Sequence, residues 1–182
     1  MKWHRLVIVF PCILSLGACT FSGLPADAEL SNLPEEQATQ LCEATQRYRD
    51  ENLSEEEVNT FLCNLLADVA GEVASASGND HEAACEESRQ TCLEQGADES
   101  EAADCERAAA RFEDCDEATV EMYESCVREQ IADIKTANEE FTCAERYFDP
   151  REEAKEADGE QSACEAYATA CGLPRVPRFA AP

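Results

Sequence analysis

Ten of its twelve cysteines constrain this chain more than any other feature, because little else in it could hold a fold together. Between Glu35 and Cys171 only 17 of 137 residues are Leu, Ile, Val or Phe, about 12%. With so few apolar residues and a formal net charge of −26, burial cannot offset conformational entropy, and disorder is the expected outcome. Cys42, Cys63, Cys85, Cys92, Cys105, Cys115, Cys126, Cys143, Cys164 and Cys171 argue the other way. They are even in number and spread along the whole body, as in the disulfide frameworks of oxidising compartments. Five bridges at roughly 2–4 kcal/mol each would rival the net stability of a whole domain.

The compartment is written at the N-terminus. Lys2, His4 and Arg5 precede the apolar run Leu6 to Leu14. That run is too short to span a bilayer and gives way to small residues, as a secretory signal does. Leu16-Gly17-Ala18-Cys19 resembles the bacterial lipobox, which implies cleavage after residue 18 and lipid modification of Cys19. Thr20 stands where an aspartate would retain a lipoprotein at the inner membrane. The resemblance therefore implies the cell envelope, at the outer membrane, on its periplasmic or surface side. Losing Lys2 and Arg5 leaves 12 Lys plus Arg against 40 Asp plus Glu, a net charge of about −28. Such a surface repels nucleic acid and anionic headgroups, so membrane contact must come from acyl chains.

Thr20 to Leu33 contains Ser22, Gly23, Pro25 and Ser31 and reads as a flexible tether. No proline occurs from Glu35 to Asp149, and glycine only at Gly71, Gly78 and Gly96. Ala and Glu dominate that stretch, so helix is favoured. Caps of the form Asn, Asp or Ser followed three residues later by Glu or Gln mark six starts: Asn32, Ser54, Asn79, Asp98, Asp114 and Asp158. The expected architecture is an all-α small bundle of about six antiparallel helices cross-linked by about five disulfides, monomeric. Its organisation is a signal at 1–18, lipidated Cys19 and tether at 19–34, a helical domain at 35–171 and a tail at 172–182. Val58, Phe61, Leu62, Leu65, Leu66, Val69 and Val73 form a helical stripe expected to face the core, as do Val120, Tyr123, Val127, Ile131, Ile134 and Phe141. The polar stretch from Arg151 to Ala157 is expected to be a mobile excursion.

Residues seven apart on a helix are about 10.5 Å apart, so Cys85 with Cys92, and Cys164 with Cys171, must each reach another helix. Facing positions of an antiparallel hairpin share a midpoint. Cys42–Cys63 centres on Asn52-Leu53, and Cys85–Cys115 and Cys92–Cys105 centre near the Gly96 to Ser100 turn. Elimination then leaves Cys143–Cys164 and Cys126–Cys171. These are the expected pairs.

The run Cys115-Asp116-Glu117-Ala118-Thr119-Val120-Glu121-Met122-Tyr123-Glu124-Ser125-Cys126, with the lipobox and the Ala163-Cys164 to Cys171 step, is similar to cysteine-rich lipoproteins of Gram-negative bacteria. The resemblance covers roughly residues 83–172. It implies a helical envelope domain and carries no known activity.

Catalytic and ligand motifs are sparse. His81 is the one histidine after the signal, placed between Asp80 and Glu82, and is expected to be a solvated helix-end residue. There is no Cys-x-x-Cys step, phosphate-cradling glycine loop, GxSxG elbow or Asp-x-Asp-x-Asp-Gly loop. No catalytic, cofactor or metal residue is therefore assigned, and no cofactor is expected. The favoured role is a non-enzymatic envelope binding or structural protein with an envelope protein partner. An enzyme or enzyme inhibitor with an acidic cleft, and an acidic divalent-cation binder, are the alternatives.

Overall fold

A computed structural model describes residues 20–96, 105–113, 115–144 and 161–173. The protein is all-α. The described residues contain six α-helices: α1 (Glu35–Asn52), α2 (Glu55–Ala76), α3 (His81–Gln95), α4 (Ala108–Phe112), α5 (Val120–Glu140) and α6 (Ala163–Ala170). The stretch at 151–157 and the tail beyond Leu173 lie outside the described residues, as do the Asp98, Asp114 and Asp158 caps.

Local chemistry sets most boundaries. Ser54 caps α2 in a reciprocal box: its hydroxyl accepts from the Glu57 amide, and the Glu57 carboxylate accepts from the Ser54 amide at 2.7 Å. Serine's hydrogen bonds also hold the Glu57 carboxyl below its ordinary pKa. α2 ends in a Schellman motif, with Gly78 N–H donating to Ser75 O, Asn79 N–H to Ala74 O, and Gly78 at φ 77°. That motif consumes Asn79, so the α3 cap passes one residue on to Asp80, which accepts from the Ala83 amide at 3.1 Å. Asn32 does not cap α1. It lies in a 3₁₀ turn (Leu30–Asn32) and donates to the Glu29 carboxylate, while Pro34 occupies the cap position. α5 starts from Thr119, and α6 from a second capping box, Ser162 with Glu165.

The expected cysteine partners are corrected throughout. The bridges are Cys42–Cys105, Cys63–Cys92, Cys85–Cys143, Cys115–Cys171 and Cys126–Cys164. Cys42–Cys63, Cys85–Cys115, Cys92–Cys105, Cys126–Cys171 and Cys143–Cys164 do not form. For Cys42–Cys63 the cause is the link between α1 and α2. Leu53 and Ser54 are both extended, at ψ 128° and 157°, which redirects the chain instead of folding it back. α1 therefore packs on α4 and α5 and not along α2. The hairpin is α2 with α3, and Cys63–Cys92 centres on its Ser77-Gly78 turn, as the midpoint rule requires.

The 20–34 segment is not a tether. Leu24 and Leu30 are buried, and Leu30 joins Ala38, Leu41, Phe112, Ala118 and Val120 in the largest core cluster. Leu30 N–H donates to Ala118 O at 2.9 Å, and Val120 N–H to Ala28 O at 2.9 Å, so the segment pairs with the start of α5. A second cluster joins Leu53, Val127 and Ile131, with Phe21, Tyr48, Val58 and Ile134 packed around it. A third, where α2, α3 and the segment after α5 meet, is Ala67, Cys85 and Cys143, with Phe141 beside it.

The α2 stripe is corrected as well. Phe61 is buried, but Leu66, Val69 and Val73 are 54%, 59% and 63% exposed. The face that α2 turns inward carries Cys63, Asn64, Ala67, Asp68 and Gly71. The α5 stripe does meet the core through Val120, Val127 and Ile131.

Candidate functional site: the clamp on the N-terminal segment

The most heavily constrained polar group in the described residues is the carboxylate of Glu124, on the first turns of α5, with no exposed surface. An isolated carboxylate in such a place is costly, so its partners define it. Phe21 N–H donates to Oε2 at 2.8 Å, and Ser22 N–H and Ser22 Oγ donate to Oε1 at 3.0 and 2.6 Å. Arg128, one turn further along α5, donates to Oε2 at 3.1 Å. Four donors thus satisfy one buried anion. Three of them belong to the segment that begins directly after Cys19, which itself lies outside the described residues.

The clamp continues through rings. Phe21 stacks on Tyr48 of α1 with centroids 4.5 Å apart and planes within 9°. The Arg128 guanidinium lies over the Phe21 ring, 5.4 Å from its centroid. Gln40 donates to Ser22 O at 2.8 Å. α1 and α5 therefore hold Phe21 and Ser22 together. Sequence reasoning passed over Glu124 because it is one carboxylate among 40. The available signal was the apolar density of the segment: Phe21, Leu24, Leu30 and Leu33 within 14 residues, richer than the body behind it.

Beneath the clamp the body is lined by aromatic side chains. Phe112, Tyr123 and Tyr167 form two edge-to-face contacts at 5.5 Å. Burial pushes the Tyr167 hydroxyl up to about 12, with Tyr123 adding to the effect. It also raises Tyr123, against a hydrogen bond to Thr45. Both are neutral packing residues at physiological pH. Cys126–Cys164 ties α6 to α5, and Glu129 accepts from the Cys164 amide at the α6 N-terminus at 2.9 Å.

His81 departs from the solvated position expected of it. Its side chain is only 18% exposed and lies against Gly71 at the α2–α3 corner. Nδ1 is 3.8 Å from Glu72 Oε1, and neither ring nitrogen makes a hydrogen bond to a described residue. A general base needs a hydrogen-bonded nucleophile and an orienting partner, and this imidazole has neither here. All ten body cysteines are in bridges, so none is a thiol nucleophile. Among the described residues no group of three or more His, Cys, Asp or Glu is placed to hold a metal ion. No helix there is long and apolar enough to cross a membrane.

No protein-family model matches the chain, and no curated protein or solved structure matches it either.

Proposed function

We propose that this chain is a lipid-anchored protein of the bacterial cell envelope, at the outer membrane, with a non-enzymatic binding or structural role. Cys19 carries the anchor, as its resemblance to a lipobox cysteine implies, and the ten body cysteines are oxidised in the same compartment. The Glu124 clamp is what supports the reading most. It grips Phe21 and Ser22, so only one residue, Thr20, separates the anchoring cysteine from a buried carboxylate. One residue spans at most about 3.6 Å, so an acylated Cys19 would hold the body against the headgroups in a set orientation. A cross-linked body pinned in this way suits presentation of a fixed surface to a partner. It does not suit reaching across the envelope.

Mass spectrometry of the protein from a Gram-negative envelope fraction should find a cleaved, diacylglyceryl-modified Cys19. Cys19→Ser should release the protein from membranes. An unmodified Cys19 in membrane-associated material overturns the proposal. With the anchor intact, Glu124→Ala strands three donors of the N-terminal segment and Arg128, at a cost of about 3 kcal/mol. Amide exchange at Phe21 and Ser22 should then rise to the level of free chain. Unchanged protection there would remove the clamp from the account.

A further inference from the structure

α2 is built inside out. Beyond Phe61, its buried residues are Cys63, Asn64, Ala67, Asp68 and Gly71, and α3 and α5 pack against the helix. Asn64 accepts from Arg89 of α3 at 2.8 Å and meets Asn138 of α5, which donates to Glu57 O at 2.8 Å. Leu62, Leu66, Val69 and Val73 follow one another at intervals of four, three and four, which places them on the opposite side as a single stripe. Leu66, Val69 and Val73 are more than half exposed, and Leu62 is half-buried. The stripe runs about 16 Å along the helix, the length of three turns. Contiguous apolar surface of this kind on a soluble body marks an interaction site.

Charge selects what can cover it. α2 contains no Lys or Arg, and Glu55 and Glu56 stand exposed at its first turn, with Glu55 seven residues before Leu62 in line with the stripe. Its other end presents the negative pole of the helix dipole, followed by Asp80. A second copy without residues 1–18 would bring a further charge of about −28 and, laid antiparallel, would set Glu55 and Glu56 against that negative pole. Anionic headgroups meet the same repulsion. We propose that the outer face of α2 is the docking surface for a cationic amphipathic helix of about three turns. The apolar side of that helix would cover Leu62, Leu66, Val69 and Val73, and its Lys or Arg residues would face Glu55 and Glu56. This deepens the binding role proposed above by naming its surface, and it holds whether or not Cys19 is acylated.

The test uses the full chain from residue 19 with Cys19→Ser, so that a negative result leaves the anchor untouched. The probe is a fluorescent 14-residue Leu/Lys peptide of helical periodicity, with a scrambled peptide and a Leu/Glu peptide as controls. The cationic amphipathic peptide should bind about ten-fold or more tightly than either control. The triple variant Leu66→Gln, Val69→Gln, Val73→Gln should lose about ten-fold in affinity while keeping the parent circular dichroism. Glu55→Gln with Glu56→Gln should weaken binding by about three-fold and flatten its salt dependence. Equal binding of the scrambled peptide, or undiminished binding by the triple variant, overturns the proposal. So does a dimer in light scattering that the triple variant converts to monomer, since a second copy is then the occupant. Binding to zwitterionic vesicles that the triple variant abolishes overturns it as well, in favour of a lipid surface.

Discussion

The body formed by α1, α4, α5 and the N-terminal segment buries Leu24, Leu30, Leu41, Phe112 and Val120 in one cluster, whereas the cluster of the α2–α3 arm, where the two helices meet, is Ala67 and Cys85 with Cys143 from the segment after α5. The arm has apolar residues enough, but Leu66, Val69 and Val73 point to solvent. Two cross-links and a set of amides fill the inward positions: Cys63–Cys92, Cys85–Cys143, and Asn64 between Arg89 and Asn138. The body thus uses sulfur to supplement a core, while in the arm sulfur largely replaces one. Two strategies coexist in one small protein, and they should respond differently to the same perturbation.

The largest effect should come from cutting the bridge that ties the arm to the body. Cys85 and Cys143 are 58 residues apart, and loop-closure entropy puts such a cross-link at about 4 kcal/mol. Cys85→Ala with Cys143→Ala should open α3 selectively. In hydrogen exchange read by mass spectrometry, α3 and the C-terminal half of α2 should lose protection while α5 keeps it. Cys42–Cys105 spans a similar 63 residues within the body. Its removal should lower global stability by a comparable amount without opening the arm first. If the Cys85–Cys143 variant loosens uniformly, the two regions are one cooperative unit and the contrast fails.

Core truncation comes next. Leu41, with no exposed surface, and Leu30, 1% exposed, sit in the body's main cluster, and Leu41→Ala or Leu30→Ala should cost about 3 kcal/mol in chemical denaturation. Leu66→Ala in the arm removes the same atoms from a residue that is 54% exposed and should cost less than about 0.5 kcal/mol. Parity between Leu41 and Leu66 would mean that the outer face of α2 is covered in solution.

The body and the arm were not equally legible. Helix was readable nearly everywhere, since Ala and Glu dominate and Ser54 with Glu57 spells out a capping box that forms. Periodicity also found the stripe of α2. It could not say which side of the helix meets the rest of the chain, because period 3.6 reports segregation and not direction. Here the inward side is chosen by close approach: Cys63, Ala67 and Gly71 are small enough to let α3 lie against α2. The midpoint rule for disulfides was sound geometry placed on the wrong hairpin. It fails for Cys42 because Leu53 and Ser54 extend, and it works for Cys63–Cys92 because Ser77-Gly78 turns back. The N-terminal segment was misread for a different reason. Gly23 and Pro25 are loop residues, but the Phe21, Leu24 and Leu30 side chains among them pack into the core clusters, and the Phe21 and Ser22 amides with the Ser22 hydroxyl satisfy a buried carboxylate.

The smallest effect probes the arm's dependence on small residues. A methyl group added at Gly71 would lie 2.6 Å from His81 Cε1 and 2.7 Å from Nδ1, closer than atoms pack, so the imidazole would have to shift. Alanine is favoured over glycine inside a helix by about 1 kcal/mol. Overpacking costs about 1–3 kcal/mol. Gly71→Ala should therefore destabilise by about 1 kcal/mol, the packing loss outweighing the backbone gain. In a His81→Ala background the obstruction is gone and only the backbone gain remains, so the same substitution should stabilise by up to about 1 kcal/mol. The change of sign across that double-mutant cycle, a coupling of about 2 kcal/mol, is the measurement that counts. Were Gly71→Ala stabilising with His81 in place, the imidazole would not be seated against α2. The seat of α3 on α2 would then rest on Cys63–Cys92 and the Arg89–Asn64 hydrogen bond.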